Sequence, residues 1–472
     1  MARIAVIGAG MGAMATAARL AVAGHQVTVY EQGPTYGGAV GRRTREGFAF
    51  DTGPGLLHLP AVYRDLFVKT GKRPLEDCVD MVQVDPAVRH VLADGTEAVL
   101  PAVSRGGAAA ALDGAFGAGT GDRWNDVLNR ARDAWDATRR PLLEEPLRPD
   151  WQVLGRDPYP AVRKSGLLRR RPPTLAETAA RELGGPAGEL LAARVGAYGL
   201  DPASVPASAA VLPYMEQTFG SWYVRGGMRA LATALYERCL ERKVSFVFDA
   251  PVREVLARDG RAAGLLLGDG AEAAADSVVC AADPRGLRGV PLPPGGVPAR
   301  GPGTASRLTL FLALRGERPA GTVHRTLVHS PGAPVTVLRP DDPAVVPDAG
   351  HEAVTVTAVC PAAGSGPAPD PEALLERAAR AVPGLRERLL WHEVYAPADI
   401  AAATGAAGGA VPPPALAGAD GRLLYPANTT GLPGLYLAGG WAHPGGGLPH
   451  AGMTGALVAG LVVEGAGFRG SR

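Results

Sequence analysis

The sequence predicts an α/β fold built on a parallel sheet, and three observations predict it. The chain opens on a strand, a glycine-rich turn, a helix and a second strand in immediate succession, within Arg3–Tyr30. It closes on another apolar strand that enters a glycine turn and then an apolar helix, about 434–463. Between these ends, helical patterns over 101–220 and a strand-rich stretch from Leu308 to Val359 describe a second unit of α+β character. At 472 residues the chain exceeds one ordinary domain. A prior of roughly 150 residues per domain suggests about three units, fewer if one is a large layered structure.

Composition narrows the class. The 64 glycines and 43 prolines approach the proportion at which disorder becomes the expectation. Against that, 46% of residues are apolar, 20% are charged and the net charge is +2, so the chain can bury a core. A charge so near zero argues against a nucleic-acid binder that works by neutralising phosphates. Cys78, Cys239, Cys280 and Cys360 lie far apart, with no CxxC pair and no histidine cluster at ligand spacing. That fits a reducing, cytoplasmic setting and supports neither a disulfide framework nor a metal site.

Two segments imitate export or membrane signals. Arg3 followed by an apolar run has the look of a signal peptide, but the βαβ pattern explains it better. Residues 423–463 carry no Asp, Glu, Lys or Arg. Pro433, Pro444, Pro449 and Gly445-Gly446-Gly447 interrupt them, leaving a helical piece well short of the ~20 residues a span needs.

Arg3–Ile7 is a β-branched apolar strand, and Gly8-Ala9-Gly10-Met11-Gly12-Ala13 follows it directly. Gly8 allows the tight turn, Gly10 lets backbone approach a pyrophosphate, and Ala13 stands at the third glycine position, where alanine is permitted. The helix that starts there offers free N–H groups to negative charge. Gln26–Tyr30 is the second strand, and Glu31 at its end is placed to accept hydrogen bonds from the ribose hydroxyls of an adenosine. This Rossmann-type fingerprint serves NAD and FAD alike.

The next segment separates them. Gly37-Gly38, Arg42-Arg43 and Gly47-Phe48-Ala49-Phe50-Asp51-Thr52-Gly53-Pro54 resemble the phytoene desaturase-like flavoproteins of the amine oxidase superfamily. The resemblance implies FAD, with Gly38 near the pyrophosphate and Gly53-Pro54 close to the flavin. Two departures stand out: the arginine expected after Gly38 is Ala39, and the threonine expected after Pro54 is Gly55. Arg42 or Arg43 is the candidate to supply the missing charge.

In the middle of the chain, Leu175–Val195 reads as one helix. Residues 163–171 form a basic run with Leu167 and Leu168, either a solvated face or a peripheral contact with an anionic membrane. Tyr198, Tyr214, Phe219, Trp222 and Tyr223 fall within 26 positions of an aromatic-poor chain. They read equally as core or as the wall of a pocket for an extended apolar ligand, with Tyr198, Tyr214, Phe219 and Trp222 as substrate candidates. Gly226–Arg242 is predicted helical. Val252, on a strand predicted over Pro251–Leu256, occupies the place where related flavoproteins bring a backbone amide to the adenine.

Gly434–Pro444 matches the second flavin segment of the same family. Gly439, Gly440, Leu448 and Pro449 are the expected cofactor contacts, because a glycine-rich nest feeding a helix N-terminus stabilises the negative charge of reduced flavin. His443 and His450 are candidate proton carriers, and backbone hydrogen bonding within the turn is the competing role.

The resemblance covers about residues 3–463. It implies a Rossmann-type FAD-binding domain assembled from discontinuous segments, 1–100, 223–300 and 420–472. An inserted α+β substrate domain would take 101–222 and 301–419. The implied activity is desaturation of an apolar polyene or isoprenoid-like small molecule, with hydride passing to flavin N5 and a neighbouring proton lost. A second reading keeps the flavin and makes the protein a tailoring oxidase or redox cyclase of a polycyclic, polyketide, peptide or amine natural product. A third, a non-catalytic protein that shelters a lipid-modified partner, is disfavoured by the retained glycine and acid positions.

Overall fold

The computed structural model describes residues 1–148, 152–161, 172–292, 305–330 and 332–470. Its nucleotide-binding layer is a five-stranded sheet in the order Ser245–Val247, β2 (Gln26–Tyr30), β1 (Arg3–Ile7), Ser277–Cys280, Leu435–Leu437, parallel throughout. Three distant stretches of chain therefore build one sheet, and β1 lies at its centre. Four of the five residues of β1 are buried, as a parallel strand covered on both faces requires.

Helix α1 (Met11–Val22) follows β1 and buries nine of its twelve residues, most of them Gly or Ala. Their smallness has a structural reason. A Cβ on Gly12 would stand 2.7 Å from Gly439 Cα and 3.1 Å from Thr454 Cγ2. On the final helix, Leu448–Glu464, a Cβ on Gly455 would stand 2.7 Å from the carbonyl carbon of Ala15. The two helices cross at backbone contact, which side chains of ordinary size would prevent.

The second unit centres on a seven-stranded sheet in the order Leu389–Tyr395, Ala305–Arg315, His351–Pro361, Val335–Leu338, Arg325–Val328, Val88–Val91, Glu97–Leu100. Neighbours run antiparallel except Arg325–Val328 beside Val88–Val91. This corrects the expected boundary at residue 100: the hairpin 88–100 hydrogen-bonds into the substrate-side sheet. Helices Arg105–Phe116, Thr120–Arg139, Leu175–Glu182, Gly185–Gly196 and Val211–Phe219 pack over a core that includes Trp124, Leu128, Leu190 and Leu212.

The helix expected over Leu175–Val195 is two helices. Gly184 and Gly185 both take positive φ (71° and 38°), where a right-handed helix cannot continue. The helix expected over Gly226–Arg242 begins later, at Arg229. The final helix begins at Leu448, directly on the glycine turn. Among the described residues no helix is long and apolar enough to cross a membrane. The basic run 163–171 lies outside the described residues.

Candidate flavin and substrate site

The site is assembled around two glycine turns that touch. Gly8 has φ of +89° and donates its N–H to Tyr30 O at 2.8 Å, fixing the exit from β1. Gly37 donates to Ala9 O at 2.8 Å, and a Cβ on Gly38 would lie 3.1 Å from Gly10 Cα. On its open side a Cβ at Gly10 would meet nothing within 4 Å. α1 starts there without a side-chain cap and without an acidic residue in its first turn, and Ala13 is buried in that turn. Free N–H groups at an open glycine edge suit a pyrophosphate.

Glu31 is 8% exposed. Its Oε2 accepts from Ala9 N at 2.6 Å and its Oε1 from Gly33 N at 2.9 Å, so the acid is held beside the first glycine turn. Ala250 N donates to Glu31 O at 2.9 Å, which brings the segment leading to Val252 alongside. Val252 opens the antiparallel strand Val252–Arg258. The ribose and adenine candidates thus converge, although 220 residues separate them in sequence.

The C-terminal segment supplies the other wall. Gly439, Gly445 and Gly447 take φ of +73°, +93° and +95°. Pro412 packs across this turn, so that a Cβ on Gly440 would lie 2.8 Å from its Cγ. The final helix begins at Leu448-Pro449 with no side-chain cap and no acid in its first turn. Tyr63 Oη donates to Leu448 O at 3.0 Å and pins that turn. A second uncapped N-terminus, free of carboxylates, fits the anionic edge of a reduced flavin.

Arg42 donates to the carbonyls of Gly226 (3.2 Å) and Ala344 (3.3 Å), lining a cavity with Asp51, Tyr223, His324 and Leu338. Arg43 pairs with Glu393 at 2.6 Å. The cation that braces the second glycine turn is Arg229, which donates to Tyr36 O, to Val40 O at 3.3 Å and to Thr35 Oγ1 at 2.7 Å. Its guanidinium lies 4.1 Å from the centre of the Tyr36 ring. Sequence reasoning missed it because it belongs to a helix almost two hundred residues downstream. A Cβ on Gly55 would lie 2.6 Å from Leu338 Cδ1, the movable end of a side chain. Gly53 rests on Ala39 O, which a Cβ would approach to 2.2 Å, and Pro54 beside it is exposed.

Asp51 acts as a cap. It accepts from Met228 N (2.8 Å) and Arg229 N (3.3 Å) at the start of Arg229–Glu241, and burial pushes its carboxyl up to about 6. Asn428, which the sequence did not single out, donates to Leu437 O at 3.1 Å and to His443 O at 2.7 Å, tying the last strand to the glycine turn.

The two histidines differ in setting. His443 is fully buried, and its Nε2 donates to Glu145 O at 3.0 Å. His450 stands in the first turn of the final helix and lines an apolar cavity with Trp135, Leu143, Leu212, Met215 and Leu416. Burial lowers both to about 4, so both are neutral at pH 7.

Of the four aromatic candidates, none borders either cavity. Tyr214 is buried in the helical core, and Phe219 rests on Trp135 with ring centroids 5.9 Å apart. Trp222 Nε1 donates to Phe219 O at 3.0 Å, and Tyr198 Oη donates to Glu216 Oε1 at 2.8 Å.

A discontinuous parallel sheet with two uncapped helix N-termini meeting at glycine turns has the geometry of a dinucleotide-binding fold. The chain belongs to the flavin containing amine oxidoreductase family, which matches residues 14–463. It is an FAD-dependent oxidoreductase. It is 30% identical over 279 residues to a 4,4'-diapolycopene oxygenase of Methylomonas sp, a match that spans 59% of this chain and only 55% of that one. It is 29% identical to a hydroxyneurosporene desaturase of Cereibacter sphaeroides over 97% of this chain and 96% of that one. A solved putrescine oxidase bound to putrescine superposes with a TM-score of 0.66 at 15% identity, covering 98% of this chain and 99% of that one. That likeness is one of fold.

Replacing Glu31 with Ala leaves Ala9 N–H without its acceptor and removes the carboxylate expected to hold the ribose. FAD affinity is expected to fall by about tenfold or more, read from flavin fluorescence on dilution; equal retention in variant and parent would count against the assignment. His443 supplies a pH test. Its ordinary value is 6.5 and its buried value about 4, so between those limits the unfolded chain binds the extra proton and stability falls as pH falls. His443→Gln should flatten urea stability against pH in that window by up to about 1.4 kcal/mol per pH unit. An unchanged slope would show that His443 is not the group responsible.

Proposed function

We propose that the protein is an FAD-dependent desaturase or dehydrogenase that oxidises C–C bonds of an apolar polyene or isoprenoid-like substrate. The observation that carries this reading is the likeness to hydroxyneurosporene desaturase along nearly the whole of both chains. Bound FAD supplies the hydride acceptor. The chain's own residues orient and shield. Trp135, Leu143, Leu212, Met215 and Leu416 give the cavity beside the final helix an apolar wall. The uncapped start of that helix favours negative charge, and His450, neutral and facing the same cavity, is the side chain there able to take up a proton.

Such a substrate resides in membranes, and the basic run 163–171 is the proposed peripheral contact with an anionic lipid surface. Neutralising Arg169, Arg170 and Arg171 should weaken co-sedimentation with anionic liposomes; unchanged co-sedimentation returns the run to an ordinary solvated face.

The central test is an anaerobic titration of the FAD-loaded protein with phytoene-type polyenes in detergent, following the oxidised-flavin absorption. Bleaching on mixing is expected. A yellow protein that stays oxidised through the series would overturn the desaturase reading and turn attention to polycyclic or amine substrates.

A further inference from the structure

Away from the glycine turns, the helical layer and the seven-stranded sheet enclose an unbalanced charge. Arg194, in the last turn of Gly185–Gly196, and Arg325, at the start of Arg325–Val328, are 2% and 6% exposed. Both bond the same carboxylate oxygen, Glu216 Oε2, at 2.9 and 3.0 Å. Among the described residues no second carboxylate pairs with either guanidinium. Arg194 Nε is buried with no hydrogen-bond partner at all.

The remaining groups do not restore the balance. Tyr198 Oη already donates to Glu216 Oε1. His58, whose Nε2 lies 3.8 Å from Glu216 Oε1, and His90, beside both arginines, are driven towards the neutral form by burial. The end of Arg194's own helix contributes at most roughly half a negative charge. Two buried cations against one buried anion leave a net positive site, and an uncompensated buried charge costs several kcal/mol unless something neutralises it.

The cluster also has an address. His58 and Tyr198 are less buried than the two arginines they adjoin. His58 follows Gly53-Pro54-Gly55 by three residues, and its short strand pairs with Ser221–Val224 and packs against the final helix. The positive site therefore adjoins both the flavin segment and the substrate layer.

We propose that Arg194 and Arg325, set by Glu216 and Tyr198, bind the carboxylate of a substrate whose body is an apolar chain. The inference rests on the reading of the protein as a polyene oxidoreductase and refines it from a hydrocarbon to an acid. Arginine suits the task because its planar fork matches a carboxylate and cannot lose its proton. Glu216 holds both forks in register while leaving one positive charge for the ligand.

The probes are all-trans-retinoic acid and its methyl ester, which share an apolar chain and differ in charge. Their binding to the full-length FAD-loaded protein is read from quenching of tryptophan fluorescence, independently of turnover. The acid is expected to bind about tenfold more tightly than the ester. Arg325→Gln should bring the ratio close to one, and Glu216→Gln, which removes the internal counter-charge, should raise it. A ratio near one in the parent, or a ratio that survives Arg325→Gln, would overturn the proposal. Should Arg325→Gln fail to fold, Glu216→Gln decides, because an unchanged or smaller ratio there contradicts the charge argument. Preference for the acid without flavin bleaching by any polyene would uphold the carboxylate site while removing the desaturase reading.

Discussion

The backbone crossing of α1 and the final helix is the constraint on which the site depends. Each helix starts at a glycine turn at the end of a parallel strand, and each presents an uncapped N-terminus. Only where Gly12 meets Gly439 and Ala15 meets Gly455 can the two starts come close enough to serve one cofactor. A negative group at such a terminus gains roughly 0.3–1 kcal/mol, more when partly buried, and here two such termini lie close together. The small residues of α1 are thus a packing requirement with an electrostatic consequence.

Buried polar side chains then lock segments that are remote in sequence. Glu31 holds the first glycine turn, Arg229 the second, Asp51 the start of Arg229's helix, and Asn428 the turn before the final helix. Each bonds backbone groups of a segment remote from its own, which fixes the geometry around the cofactor. The cationic pair at Glu216 departs from this pattern, and that departure is what marks it as a place for a ligand.

Much of the nucleotide-binding layer was legible in the sequence because its signals are local. β1, β2 and Ser277–Cys280 are short apolar runs, and α1 follows its glycine turn directly. Gly184-Gly185 also lies in plain view, yet an apolar period running through it suggested one helix instead of two. What the sequence could not show was contact across long separations. Arg229 at the Gly37-Gly38 turn, the hairpin 88–100 in the distant sheet and the meeting of Arg194 with Arg325 all depend on tertiary placement. The aromatic cluster divides for the same reason: Tyr214 packs in the core and Phe219 on Trp135, while Tyr198 bonds Glu216.

Gly455 offers the most direct test of the crossing, because it lies in the helix interior, one turn and more from the glycine nest. A valine there would press on Ala15 and cost about 1–3 kcal/mol of stability by overpacking. The decisive measurement is FAD affinity of folded Gly455→Val against parent, by fluorescence titration of the apoprotein. If the two helix starts act together, affinity falls well beyond experimental scatter although the substitution touches no cofactor candidate. A folded variant that binds FAD as tightly as the parent would show that the helix starts need not be held at backbone contact.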